Sequence, residues 1–151
     1  MTTDPETILA ELIERYSPEV AALGRALIAR MRARIPQAHA LVFDNYNALG
    51  VGFAPGEVSS GVILSVVLYP RWVSLFFFKG ALLADPAGLL RGAGSVIRHI
   101  RMTSVEDYER PEVEDLIALA LELAEPPLDP APRGRLVIRS ISGKRRPRRP
   151  A

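Results

Sequence analysis

Cysteine is absent from the 151 residues, which removes disulfides, thiolate metal ligands and cysteine nucleophiles together. Histidine is scarce: His39 and His99 are the only two, so an imidazole-based catalytic or metal site has at most two such groups to draw on. Lysine is nearly missing, two against seventeen arginines, a bias read as that of a GC-rich genome rather than of a function. Serines are present without a Gly-x-Ser-x-Gly elbow or any other nucleophile motif, so hydrolase chemistry has no support. Long hydrophobic runs are missing too. The longest, over 62–69 and 73–78, fall far short of the roughly 20 residues a membrane-spanning helix needs. The first residues carry Asp4 and Glu6 and lack the basic start and apolar run of a secretion signal. The expectation is a cytoplasmic protein with no membrane partner.

The composition that remains, 48% hydrophobic and 24% charged, is that of a globular protein, and this length suits one core. Charge is unevenly distributed. From Arg133 onward there are eight cations and no acid, whereas residues 1–132 hold the other 11 cations and all 17 acids. An acidic body therefore carries a basic ending, and the net charge of +2 describes neither. The reading is one domain over 1–142 and a disordered basic tail over 143–151, where no apolar side chain exceeds proline or alanine.

Asp4 before Pro5 is a helix start, and Ile8, Leu9, Leu12, Ile13 and Tyr16 recur at helical spacing, which predicts a helix over 5–16. Ser17-Pro18 repeats the signal, and the stripe from Val20 through Leu27, Ile28 and Met31 to Ile35 predicts a second helix that Pro36 ends. From His39 the period changes to two. Leu49, Val51 and Phe53, then Val62, Leu64, Val66 and Leu68, read as strands of a meander joined by the turn at 54–60. Tyr69-Pro70-Arg71-Trp72 is the next turn, and 73–78 follows as a nearly all-apolar strand, expected to be central and covered on both faces. Residues 80–95 read as a long irregular crossover with at most one helical turn at 86–90. A strand over 96–102, a helix from Pro111 with the stripe Val113, Leu116, Ile117 and Ala120, a connector stiffened by Pro126, Pro127, Pro130 and Pro132, and a last strand over 136–141 complete the order. The fold class is α+β: an antiparallel sheet of about five to six strands packed on helices, with one face that can remain open.

The segments Asp44-Asn45-Tyr46-Asn47-Ala48-Leu49, Tyr69-Pro70-Arg71-Trp72-Val73, Asp85-Pro86 with Leu89-Leu90, Gly92-x-Gly94 and Arg98-His99 fall in an order that resembles the YdhG-like uncharacterised domain family, over about residues 40–124. That family is grouped by fold with bacterial frataxin. The resemblance implies a compact α+β domain and little about activity, with iron handling attached to some relatives.

Arg98 is the sharpest local oddity. It shares strand phase with Val96, Ile100 and Met102, so a cation points at an apolar face and must find acceptors. Two readings follow: a structural pairing with Asp44 or with carbonyls of the 80–95 loop, or an anion-binding guanidinium at a pocket mouth with Asp44, Tyr46, Tyr69 and Arg71 as its neighbours. Gly92, Gly94 and Ser95 offer a weak anion loop, since they precede a strand and not a helix, and a loop requirement is the plainer reading. His99 falls on the opposite face from Arg98, beside Arg101. Glu6, Glu11 and Glu14 on the first helix are the carboxylates that the frataxin-like alternative would use for iron, although such faces ordinarily meet water. Lys144, Arg145, Arg146, Arg148 and Arg149 suit nucleic-acid phosphates in a sequence-independent way, or settle on the acidic body.

The favoured expectation is a non-enzymatic binding module for a small anionic ligand or a protein partner, with no cofactor. An iron-handling protein and a nucleic-acid-associated protein acting through the tail are the alternatives.

Overall fold

A computed structural model describes residues 4–131 and 133–150. Pro132 of the proline connector and Ala151 of the expected tail lie outside the described residues, as do residues 1–3. The chain is α+β, as expected. Helix α1, Pro5–Glu14, starts where Asp4 accepts the Thr7 N–H, and α2, Pro18–Arg34, where Ser17 accepts that of Val20. Each cap satisfies a donor that the first turn leaves without an intrahelical partner, and the proline behind it has none to lose. Six strands follow the predicted order: β1 His39–Asp44, β2 Leu49–Ala54, β3 Leu64–Leu68, β4 Val73–Phe77, β5 Arg98–Met102 and β6 Leu136–Ile141. Between β5 and β6 lie a four-residue helix, α3, Val105–Tyr108, which the sequence reading omits, and α4, Pro111–Glu122. Among the described residues no helix is long and apolar enough to cross a membrane.

The strands pair in the order β5-β4-β3-β2-β1-β6. The first five form an antiparallel meander, while β6 returns beside β1 in parallel, which makes the sheet mixed. Register assigns alternate residues to two faces. One carries Val42, Val51, Phe53, Leu64, Val66, Leu68, Leu75 and Phe77, all buried beneath Leu12, Ile13, Leu27, Met31, Leu116 and Ile117 from the helices. Arginines of α2 tie the helical layer across its surface: Arg32 makes a two-pronged pair with Glu6 and Arg34 another with Glu114. Such exposed pairs contribute about 1 kcal/mol at most, so apolar burial holds the layer.

Strand β4 corrects one expectation. It is second from the edge rather than central, and Phe76 and Phe78 on its far side remain half-exposed because no helix covers them. The strand expected from residue 96 begins at Arg98, with Val96 and Ile97 left exposed ahead of it. The 80–95 segment guards this edge: Arg91 exchanges backbone hydrogen bonds with His99 at 2.8 and 2.9 Å, and Asp85 accepts the Leu89 and Leu90 N–H groups at 2.9 Å. This single bridge occupies the outward ladder groups of His99, so an incoming strand cannot use them.

Gly24 sets how closely α2 approaches β3. A Cβ there would stand 2.6 Å from Cδ2 and 2.7 Å from Cγ of Leu68, which is fully buried and has no room to yield. Gly24→Ala is therefore expected to lower stability by about 1 to 2 kcal/mol net, overlap exceeding the gain in helix propensity, as read from the urea unfolding midpoint.

Candidate functional site

The face of the sheet away from the helices is the functional candidate, and register lays it out in two cross-strand rows. One reads Arg101, Ser74, Val67, Gly50, Phe43 from β5 to β1; the next reads His99, Phe76, Ser65, Gly52, Leu41. Small residues occupy the middle strands and rings flank them. The result is a groove of about 500 Å³ floored by Gly50, Gly52, Ser65 and Val67. Phe43 bounds it on the β1 side and Phe76 and Phe78 on the β4 side; Asn45, Asn47 and Tyr69 rim one end, Val62 and Ile97 the other. That volume lies within the range of small-molecule sites, which are mostly apolar with a few placed polar groups.

Two features of the floor lack an internal explanation. A Cβ on Gly50 would meet nothing closer than Ser65 Oγ at 3.6 Å, and the residue is not in the positive-φ region, so neither packing nor backbone demands glycine. Glycine inside a strand weakens it, and it commonly marks a place where something approaches closely. Ser65 is only 5% exposed, lines the groove, and its hydroxyl has no hydrogen-bond partner among the described residues. Gly52 differs: Val62 Cγ1 would be 2.9 Å from its Cβ, so packing alone requires it.

Asp44, at the end of β1, takes the phase of Ala40 and Val42 and so faces the helices, where it is 2% exposed. A buried carboxylate needs cations and donors. They come from the end of the chain. Arg145 donates Nε–H to Oδ2 at 2.5 Å and Arg148 donates from Nη2 to Oδ1 at 3.0 Å. Arg148, itself 6% exposed, also donates to the carbonyls of Asn45 at 2.5 Å and Tyr46 at 2.9 Å, and its guanidinium lies 5.5 Å from the Tyr16 ring centroid. Arg149 reaches the Glu14 and Arg15 carbonyls at 3.2 Å, at the end of α1 where unpaired carbonyls favour a cation. The expected disorder of the tail is thereby corrected over its described residues: it forms no helix or strand, yet four of its five cations are held by the body, Arg146 by donating to Asn47 Oδ1 at 3.4 Å.

The predicted ligand residues are not brought together. Tyr69 lines the groove and Arg71 is exposed in the turn beside it, and Tyr46 is an exposed member of the β1–β2 turn. Asp44 is occupied by the tail on the opposite face of the sheet. Arg98 stands four strands from Asp44, too far to pair, and its Nη1 donates to the Gly94 and Ile97 carbonyls at 2.6 and 2.8 Å. Loop carbonyls thus satisfy this cation, the structural one of the two readings. Gly92 adopts φ +127°, so the loop itself requires glycine there; Gly94 and Ser95 are exposed. His99 shares its face with Arg101, as predicted, and stacks on Phe76 at 5.1 Å. Glu6 is engaged by Arg32, while Glu11 and Glu14 are exposed. Among the described residues no group of three or more His, Asp or Glu side chains is placed to hold a metal ion.

Sequence reasoning missed the floor of the groove. Its signal was the pair Gly50 and Gly52 in the period-two positions between Leu49, Val51 and Phe53, where the alternate residues on a solvated face are ordinarily larger and polar. Compared with known proteins, the chain matches no protein-family model and shows no significant similarity to a curated protein or a solved structure.

A chain ending at Gly143 leaves Asp44 buried without its cations, and a loss of about 3 to 5 kcal/mol is expected by urea unfolding. Asp44→Asn in that shortened chain restores part of it, because an amide carries no charge to desolvate; an unchanged midpoint on truncation would show that the tail does not hold the turn. Burial pushes the Tyr16 phenol from 10.0 up to about 12, with Arg148 drawing it partly back. The folded state holds this proton more tightly than the unfolded one, so its contribution to stability is intact below pH 10 and declines as pH rises from 10 to 12. Tyrosinate absorbance, followed beside circular dichroism, should show one tyrosine ionising only as the fold is lost.

Proposed function

We propose that the protein is a non-enzymatic binding module for a small ligand, and that the ligand lies in the groove on the uncovered sheet face. The observation that carries this reading is Gly50: a strand glycine with ordinary dihedrals and free space above it, whose only consequence is room in the groove. The Ser65 hydroxyl, without a partner beside that room, supplies a hydrogen bond for an occupant. Among the described residues no charged side chain lines the groove, and no pair of acid, base or nucleophile faces it, which favours binding over catalysis. The YdhG-like resemblance, itself part of this proposal, favours the same kind of protein. Iron handling through Glu6, Glu11 and Glu14 has less support, because Glu6 is already paired. Nucleic-acid association through the tail has less support, because Arg145, Arg146, Arg148 and Arg149 are all engaged by the body and Lys144 is left.

The test fills the groove without disturbing the fold. Gly50→Val places a β-branched side chain on a strand whose neighbours leave its Cβ at ordinary contact distance, so stability is expected to hold or rise by about 0.5 to 1 kcal/mol. The probe is toluidinonaphthalene, the uncharged parent of toluidinonaphthalene sulfonate, an aromatic amine whose fluorescence rises in apolar surroundings. It should bind the natural chain and lose at least tenfold in affinity to Gly50→Val. Equal binding by the two would remove the groove as the site.

A further inference from the structure

Beside the groove, on β5 of the same uncovered face, stands a cation that does not itself line it. Arg101 is exposed and stands in the same row as Gly50, with only Ser74 and Val67 between them, so no side chain larger than valine separates its strand from the glycine. Its guanidinium lies 4.1 Å from the centroid of the Trp72 ring, which stacks at 5.1 Å on Tyr69, a wall of the groove. Stacking holds the planar fork in place and leaves its N–H groups free to donate, since aromatic faces attract the cation without occupying its hydrogens. Among the described residues Arg101 pairs with no carboxylate. The strands contribute one acid in all, Asp44, and it is buried on the other face. This face is therefore free of strand carboxylates and positive at one end.

The geometry points to a ligand that is a flat apolar ring system bearing one anionic group, its rings over Gly50 and Val67 and its anion on Arg101. This inference rests on the groove being the binding site and adds its chemistry. From Gly50 to Ser74 the row spans two strand spacings, about 10 Å; Ser74 itself is covered, at 2% exposure, so two fused or linked rings seat over Gly50 and Val67 and direct their anion past it to Arg101. Phe43 closes the trough on the β1 side, Phe76 and Tyr69 confine it laterally, and the anion then falls beside the one side chain on the row able to donate a charge-assisted hydrogen bond. The anion site expected at Arg98 is thus replaced by one three residues further on, in the opposite strand phase, where no backbone carbonyl competes.

The experiment compares toluidinonaphthalene sulfonate with the same molecule lacking the sulfonate, on the full chain at low and high salt. Trp72 is the only tryptophan, so energy transfer from it follows binding to the chain, and its loss in Gly50→Val assigns that binding to the groove. The sulfonate is expected to tighten binding about five- to tenfold at low salt, with the advantage shrinking at high salt. Arg101→Met, which keeps the stem against Trp72, should bring the two probes to equal affinity without changing that of the uncharged one, and Arg101→Lys should restore most of the difference. Equal affinities for the natural chain, or an advantage that survives Arg101→Met, overturn the inference and leave the groove as a site for neutral ligands. Failure of the uncharged probe to bind at all instead overturns the groove itself.

Discussion

A carboxylate shut away from water has to be answered by cations, and Asp44 is answered by Arg145 and Arg148, a hundred residues further along the chain. The pair is not there because it is the most stable filling for that space; a buried ion pair loses in desolvation much of what it gains in attraction. Its effect is positional. One guanidinium joins the end of β1, the carbonyls of the β1–β2 turn and the ring of Tyr16 behind α1, and Arg149 then ends α1. The same turn presents Asn45 and Asn47 to the groove on the other face. A basic ending that resembles a solvated tail is thus part of the frame that holds the rim of the candidate site.

The second constraint is the one-sided helical layer. Four helices cover one face of six strands, and the other face must reach water or a ligand with whatever its alternate residues supply. Here they supply small residues on β2 and β3 and rings on β1 and β4, so the uncovered surface is recessed rather than flat. A flat apolar face of this extent would invite association with other sheets. The recess limits contact to something small enough to enter, and Tyr69 of its rim stacks on Trp72, over which Arg101 lies.

Much of the frame was legible in the chain. Proline following Asp4 and Ser17 located both N-terminal helices, and the change from a period of 3.6 to a period of two at His39 located the meander, because burial on one face leaves those periods in any sequence. The β6 segment was equally plain, but its parallel pairing with β1 was not, since alternation says that a strand exists and not which neighbour it chooses. Arg98 was recognised as a cation needing acceptors, and it was the loop carbonyls that answered it, leaving Asp44 to the tail.

Local pattern by itself therefore determined which segments are helices and strands, that they make an α+β domain, and that Arg98 needs acceptors. It determined these because helix capping, side-chain alternation and desolvation act on a residue and its near neighbours. Tertiary structure alone decided which partner each charge received, that Gly50 and Ser65 share a groove with Phe43 and Phe76, and that Arg101 rather than Arg98 is the β5 cation on the uncovered face. Those outcomes depend on cross-strand register and on contacts between residues tens to a hundred positions apart, and no short-range periodicity records them.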